Sequence, residues 1–133
     1  MKKGDILFHP HFKFSDGEAG KKFLIILNTP DLQESEPYLF CKTTSQSQKK
    51  PQTPGCHAER NLYCIDANFD FFLQKTWVQF FEIFEANYAE FIKQHFSLGL
   101  EVKGQLQPST INAVINCIKK SDDVSGYHLS LLR

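Results

Sequence analysis

The stretch GDILFHPHFKFSDGEAGKKFLIIL, residues 4–27, contains two short apolar runs separated by a small polar loop. The runs at 4–8 and 23–28 are rich in Ile, Leu and Phe and are bounded by turn-forming residues, a pattern typical of β-strands. Further runs of the same kind follow at 38–44, 61–65 and 76–81. Their spacing predicts a compact, mainly antiparallel barrel or sandwich of five or six strands.

Beyond the last of these runs the apolar pattern takes a helical period. In NYAEFIKQHF, Asn87 is a typical N-cap, Glu90 follows three residues later, and one helical face carries Tyr88, Phe91, Ile92 and His95. The start of this helix stays open between two alternatives, because a longer helix is also matched by Trp77, Phe81, Phe84 and Tyr88.

A second helix is indicated in QPSTINAVINCIKK, residues 107–120. Pro108 suits the first turn of a helix, and an i, i+3, i+4, i+7 stripe is formed by Ile111, Val114, Ile115 and Ile118. The stripe predicts that this C-terminal helix packs on the sheet.

The length of 133 residues predicts a single domain, 1–133, with a real hydrophobic core. SQSQKKPQTPG, residues 45–55, has the composition of a mobile surface loop, so we expect a flexible basic loop over 45–60. Residues 121–133 are predicted to form a C-terminal tail. The hydrophobic fraction of 41% excludes a disordered chain.

Charge and hydropathy restrict the classes of partner. Fifteen basic residues balance fifteen acidic ones, so no global field attracts a polyanion and any such site must be a local patch. No apolar run approaches the length of a membrane span. The N-terminus interrupts its apolar run with charge, His and Pro, unlike a signal peptide, so we expect a cytoplasmic protein without membrane contact.

Four cysteines are present, at positions 41, 56, 64 and 117. Without a secretory signal they are predicted to be reduced thiols. Cys56, His57 and Cys64 lie close in the sequence, but their spacing matches zinc sites poorly. A zinc-stabilised binding module is therefore the weakest hypothesis, and no metal ligand or other cofactor is predicted.

The chain has no P-loop, dinucleotide fingerprint, nucleophile elbow or zincin motif. It resembles instead the MazF/PemK family of bacterial toxins. The resemblance begins with GDILFHPHFKFSDGEAGKKFLIIL, continues through YLFCKTTSQ and FLQKTWVQF, and ends in KGQLQPSTINAVINCIKK. It covers residues 4 to about 120. The chain has extra residues between positions 45 and 75 compared with the family, so the resemblance is to a divergent member.

The resemblance implies an SH3-like barrel with added helices, a homodimer, and a cognate antitoxin as partner. It also implies a metal-independent endoribonuclease that cleaves single-stranded RNA. In that reaction the 2′-hydroxyl of the RNA attacks the adjacent phosphorus and leaves a 2′,3′-cyclic phosphate and a 5′-hydroxyl. DNA lacks this nucleophile.

The resemblance also places the site. Lys22 stands where the family has arginine, and Phe23 where it has proline. Thr44 matches the family's threonine, with Thr43 as the alternative in a slipped register. Lysine gives phosphate a point charge without the two-pronged contact of arginine. Lys22 and Thr44 are therefore the candidate catalytic residues, and the candidate substrate-binding residues are Ser15, Asp16, Lys21, Thr43, Gln46, His57 and Trp77.

Three of these assignments rest on further reasoning from the residues. Lys21, one position along the strand from Lys22, is expected to point the other way. A tryptophan in this position is more often a core residue, although Trp77 could stack a base at a groove rim. Of the histidines able to transfer protons, His57 is the first to test, ahead of His9 and His11, because it lies beside the predicted loop.

Local charge gives the RNA hypothesis modest support. Between Lys42 and Arg60 four basic residues stand against the single acid Glu59, a net charge of +3. A basic rim is what a single RNA strand requires. The alternative hypothesis is a catalytically inactive barrel that binds RNA or protein, and it is favoured by lysine and phenylalanine at positions 22 and 23.

Overall fold

The computed structural model describes residues 1–13 and 19–133. Seven strands and three α-helices are found there, with a single 3-10 turn at Ala58–Arg60. In chain order they are β1 (Asp5–Lys13), β2 (Ala19–Ile26), β3 (Tyr38–Thr44), β4 (Gly55–His57), β5 (Leu62–Ile65), β6 (Thr76–Ala86), α1 (Tyr88–Leu98), β7 (Glu101–Gln105), α2 (Pro108–Ile118) and α3 (Gly126–Leu131). No helix in the described ranges is long and apolar enough to cross a membrane.

The strands form one sheet in the order β4-β5-β6-β3-β2-β1-β7, and every neighbouring pair is antiparallel. The predicted mainly-β fold with packed helices is confirmed. The sheet is larger than expected, because β4 and β7 were not predicted. It is also open, since no ladder among the described residues joins β4 to β7.

β6 settles the boundary that the sequence left open. It continues as a strand to Ala86, so the longer helix from residue 77 is wrong. Its outer half pairs with β3, where Phe84 faces Phe40 in register and their rings stack with centroids 5.3 Å apart. A register shift between Phe40 and Lys42 bends this ladder.

The two faces of the sheet bury separate apolar layers. Alternation along β2 places Ile25 in the layer beneath α2, and Leu24 in the layer near α1. The predicted stripe of α2 is buried throughout: Ile111, Val114, Ile115 and Ile118 are all in the core. Burial of each such side chain contributes about 1.5–3 kcal/mol.

Helix α1 covers the other face less completely. The Asn87 side chain accepts a hydrogen bond from the Glu90 N–H at 2.8 Å, which confirms the predicted cap. Phe91 is buried against Tyr38, with ring centroids 5.2 Å apart. Tyr88 and Ile92 share its predicted face but remain 50% and 37% exposed.

The C-terminal residues 121–133, predicted to be a tail, include a helix and buried side chains. α3 begins at Gly126, where the Ser125 hydroxyl accepts from the His128 N–H. Leu131 and Leu132 are buried in the core. The sequence alone concealed this because the segment is too short for a helical period to stand out.

A disulfide joins Cys56 on β4 to Cys117 on α2. The prediction of four reduced thiols is therefore wrong for this pair. Its members lie 61 residues apart in sequence, and only the fold brings their Cα atoms to 5.5 Å, which is within bonding range. The disulfide also removes Cys56 as a zinc ligand. Cys41 and Cys64 are free and buried, and burial raises the pKa of both thiols.

Residues 45–60, predicted to be a flexible basic loop, contain some regular structure. They include β4 and the 3-10 turn, and their carbonyl groups accept side-chain donors from neighbouring segments. Lys75 donates to the carbonyl of Gln52 at 2.7 Å, and Arg60 donates to that of Lys49 at 2.7 Å. Both bonds are accepted by backbone carbonyl groups, so they hold the main chain of this segment.

Candidate functional site

Strands β2 and β3 separate at one end of their ladder. The last paired residues at that end are Leu24 and Lys42. Beyond them the Thr43 hydroxyl donates to the Phe23 carbonyl oxygen at 2.9 Å, and the Lys22 ammonium donates to the Thr43 carbonyl oxygen at 3.0 Å. Side chains thus take the place of backbone ladder bonds, and the two strands diverge.

A pocket of about 840 Å³ opens where the strands diverge. Five predicted site residues line it, namely Lys21, Lys22, Thr43, Thr44 and Gln46. The remaining described lining residues are mostly aromatic or apolar: Phe8, Phe23, Ser45, Phe71, Phe72, Leu73, Gln74 and Thr76. The pocket therefore has two parts. We call Phe71 and Phe72 its aromatic wall, and Lys21, Lys22, Thr43, Thr44 and Gln46 its polar, basic rim.

The rim is positively charged. Lys21 is exposed and Lys22 is half-buried, and the described lining residues include no acid. Lys21 and Lys22 both border the pocket, so the expectation that Lys21 points away from the site is wrong. The divergence of the strands explains this, because a pocket at a strand end is open to both faces of the chain.

The charge of Lys22 is held at a cost. Burial is the main cause that lowers the pKa of Lys22, and repulsion by Lys42 and Lys50 lowers it further. Lys42 itself lies over the ring of Phe81, 5.0 Å from the centroid. An anion in the pocket would relieve this repulsion, since it would give the cluster an opposite charge.

The two threonines differ in what their hydroxyl groups do. The Thr43 hydroxyl uses its single donor on the Phe23 carbonyl. The Thr44 hydroxyl accepts a hydrogen bond from the Gln46 N–H at 3.2 Å, which fixes the turn after β3 and leaves the Thr44 proton as a donor. Thr44 is thus the better candidate to donate to a bound phosphate.

Trp77 does not belong to the site. Its side chain is only 1% exposed, and its indole N–H donates to the Pro51 carbonyl at 2.9 Å. The prediction that it stacks a base is wrong, because a ring this deeply buried has no free face. It is a core residue that also anchors the segment between β3 and β4.

The histidines lie outside the pocket lining. His57 is on β4, where a ring nitrogen donates to the Thr53 carbonyl at 2.7 Å. His9 is buried on β1, and its Nδ1 accepts from the His11 N–H. Its Nε2 then carries the proton and donates to the Gln94 side chain at 3.1 Å. Burial is the main cause that lowers the pKa of His9. Ser15 and Asp16 lie outside the described residues.

The sequence did not reveal the aromatic wall. Phe71 and Phe72, on the segment between β5 and β6, pack edge to face, with centroids 5.2 Å apart. The wall needs Gly104 on β7, because a Cβ there would lie 2.7 Å from the Phe71 ring. The run FDFF between two strands was the available signal, since it fits neither a strand nor a helical period.

In comparison with known proteins, the chain matches no family model, no curated protein and no solved structure. The fold and the site define a mainly-β domain with a basic, aromatic-walled pocket at the divergence of two strands.

Proposed function

We propose that the protein is a MazF/PemK-like toxin that cleaves single-stranded RNA without a metal ion. The observation that supports this best is the gathering of Lys21, Lys22, Thr43, Thr44 and Gln46 around one pocket. They come from two strands and the turn after β3, and each was predicted from the sequence as a catalytic or substrate-binding residue. The basic rim suits a polyanion, although the whole chain carries no net charge.

In the proposed reaction the 2′-hydroxyl gives its proton to water and forms a bond to the adjacent phosphorus. The bond from phosphorus to the 5′ oxygen breaks, and that oxygen takes up a proton from water. Lys22 would stabilise the charge that develops on the phosphorane oxygens, and Thr44 would donate a hydrogen bond to the same group. Both groups lie beside the pocket where a phosphate can enter.

The same proposal includes a cognate antitoxin, a homodimer and a cytoplasmic location, where messenger RNA is the substrate. These three points follow from the family resemblance in the sequence. The Cys56–Cys117 disulfide argues against the cytoplasmic location, because disulfides are rare in reducing compartments.

Cleavage of a varied RNA pool by matched variants tests the proposal. We expect Lys22→Ala to abolish cleavage, because the charge opposite the phosphorane oxygens is lost. Lys22→Arg should retain or raise activity, since arginine contacts phosphate through two N–H groups. Thr44→Val should lose activity. The product should carry a cyclic phosphate, and a 2′-deoxyribose at the cut position should block the reaction.

Lys21→Ala is the matched control, one residue away on the same rim and exposed. It should weaken cleavage much less than Lys22→Ala. Equal losses at the two positions would indicate a diffuse binding patch and contradict the catalytic role of Lys22.

A non-catalytic RNA-binding module is the second candidate function. It is favoured by the bond from Lys22 to the Thr43 carbonyl, which gives this lysine a structural role between the diverging strands. Binding of RNA by the wild type without any cleavage would support this alternative.

A further inference from the structure

The segment between β5 and β6 forms one side of the pocket. The proposed catalytic step, which uses Lys22 and Thr44, gives this side no role. Phe71 and Phe72 each pack edge to face against Phe23, with ring centroids 5.8 Å apart in both pairs. Leu73 follows them and is 79% exposed while it lines the pocket. An apolar side chain this exposed at the mouth of a pocket gains by contact with an apolar ligand surface.

Polar groups able to form hydrogen bonds with the edge of a planar ring also border the pocket. Gln46 and Gln74 both line the pocket, and each side-chain amide offers donors and an acceptor. The lysines add positive charge at the end where β2 and β3 diverge. A ligand that fits all three features has an aromatic ring, hydrogen-bonding groups on its edge, and an attached anion.

We propose that Phe71, Leu73 and Gln74, on the segment between β5 and β6, form a subsite for one unpaired base of the RNA. The base would lie against Phe71 and Leu73, with its edge toward Gln74 and Gln46 and its phosphate toward Lys22. This inference rests on the proposed function for the identity of the ligand. It names the part of the protein that sets base preference, and it requires a single strand because bases in a duplex already stack on each other.

Gly104 contributes to the position of the wall. A Cβ at this residue would meet the Phe71 ring at 2.7 Å, closer than real contacts allow, so the ring would have to move. The bare backbone of β7 at this point thus lets Phe71 lie down toward the sheet. Gly104 is in this sense a positioning residue for the subsite.

The experiment compares RNA strands of equal charge that carry bases with one that carries none. Fluorescence anisotropy measures binding of ten-nucleotide oligoribonucleotides of A, C or U, made uncleavable with 2′-O-methyl groups, and of an abasic strand of the same length. We expect the wild type to bind at least one base-bearing strand more tightly than the abasic strand by roughly 5- to 150-fold, as base stacking on protein side chains gives.

Three variants locate the effect. Phe71→Ala and Leu73→Ala should each lower the ratio of base-bearing to abasic affinity. Phe69→Ala is the matched control, because Phe69 lies on the same segment and is 62% exposed but does not line the pocket. It should leave the ratio unchanged. Leu73→Ala keeps the test valid if Phe71→Ala folds poorly, since an exposed side chain contributes little to stability.

The outcomes separate this inference from the proposed function. A wild-type ratio near one, or equal effects of Phe69→Ala and Leu73→Ala, overturns the base subsite, even where the protein cleaves RNA. A ratio that falls in Leu73→Ala but not in Phe69→Ala supports the subsite, even where unmodified RNA is bound and left intact. In that last case the catalytic proposal alone is overturned.

Discussion

Lys22 carries its charge where the protonated side chain is poorly solvated. Burial and two neighbouring lysines lower its pKa, and its ammonium is held by a neutral carbonyl at the end of a strand pair. A residue in this position favours deprotonation in the folded state. A perturbed pKa of this kind is typical of groups in functional sites, where a ligand supplies the missing partner.

The charge of Lys22 should therefore make stability depend on pH. Because the folded-state pKa lies below the unfolded one, the unfolded chain binds more protons between the two values, and stability rises with pH in that window. Lys22→Met has no such group. We expect the difference in unfolding free energy, wild type minus Lys22→Met, to increase as pH rises from about 7 to about 10.

Urea denaturation at several pH values measures this difference. The slope with pH is the readout, because the substitution also removes the bond to Thr43 and shifts the absolute values. Lys21→Met serves as the control at an exposed position, where the change in stability should stay within about 0.5 kcal/mol. A wild-type to Lys22→Met difference that is constant over this range would show that Lys22 is not desolvated.

At this scale the sequence predicted the polar rim but not the wall. The family resemblance placed Lys22, Thr44 and Gln46 at the ends of two strand runs, and they lie around one pocket because β2 and β3 are neighbours in the sheet. Phe71 was missed, since its place in the pocket also depends on Gly104 in a strand distant in sequence. Trp77 was misplaced because a strand residue can face core or solvent, and sequence spacing alone did not decide between them.

Among the described strands, β4 is the shortest. It has three residues, pairs only with β5 among the described strands, and ends the sheet. The Cys56–Cys117 disulfide ties it to α2, and the segment before it carries Lys50, which acts on the charge of Lys22. A covalent bond thus reinforces a strand that is held by one ladder.

Reduction of the disulfide should loosen β4 and the segment before it. A link across 61 residues stabilises the folded state by about 2–4 kcal/mol, through loss of conformations in the unfolded chain. We expect reduction to lower the unfolding free energy by that amount and to speed hydrogen exchange at 45–57. The exchange at α2 should change less, because its apolar stripe stays buried.

Cys56→Ser is the control for this prediction. It should reproduce the effect of reduction, and addition of a reductant to the variant should produce no further change. A wild type whose stability is the same with and without reductant would show that the bond does not constrain the chain.

For the molecule as a whole, strand and helix periods predicted the core but not the edges of the sheet. The five runs of the sequence correspond to the five buried strands, because a strand buried on the core face leaves an apolar pattern. β7 reads EVKGQ and is largely exposed, and β4 has only three residues, so neither has such a pattern. Their pairing is decided by contacts with distant parts of the chain.

The two long helices should contribute unequally to the stability of the whole fold. Ile118 of α2 is fully buried, whereas Ile92 of α1 is 37% exposed, although both lie on predicted apolar faces. We expect Ile118→Ala to lower the unfolding free energy by about 2–5 kcal/mol, because a cavity is left in a packed core. Ile92→Ala should cost clearly less, since part of its surface already meets water.

Urea denaturation of the two variants measures this difference, with Lys119→Ala as the exposed control beside Ile118. The control should fall within about 0.5 kcal/mol of the wild type. The slope of free energy with urea should stay the same in all three variants, because each is expected to unfold as one unit. If Ile118→Ala cost no more than Lys119→Ala, α2 would not be packed on the sheet in solution.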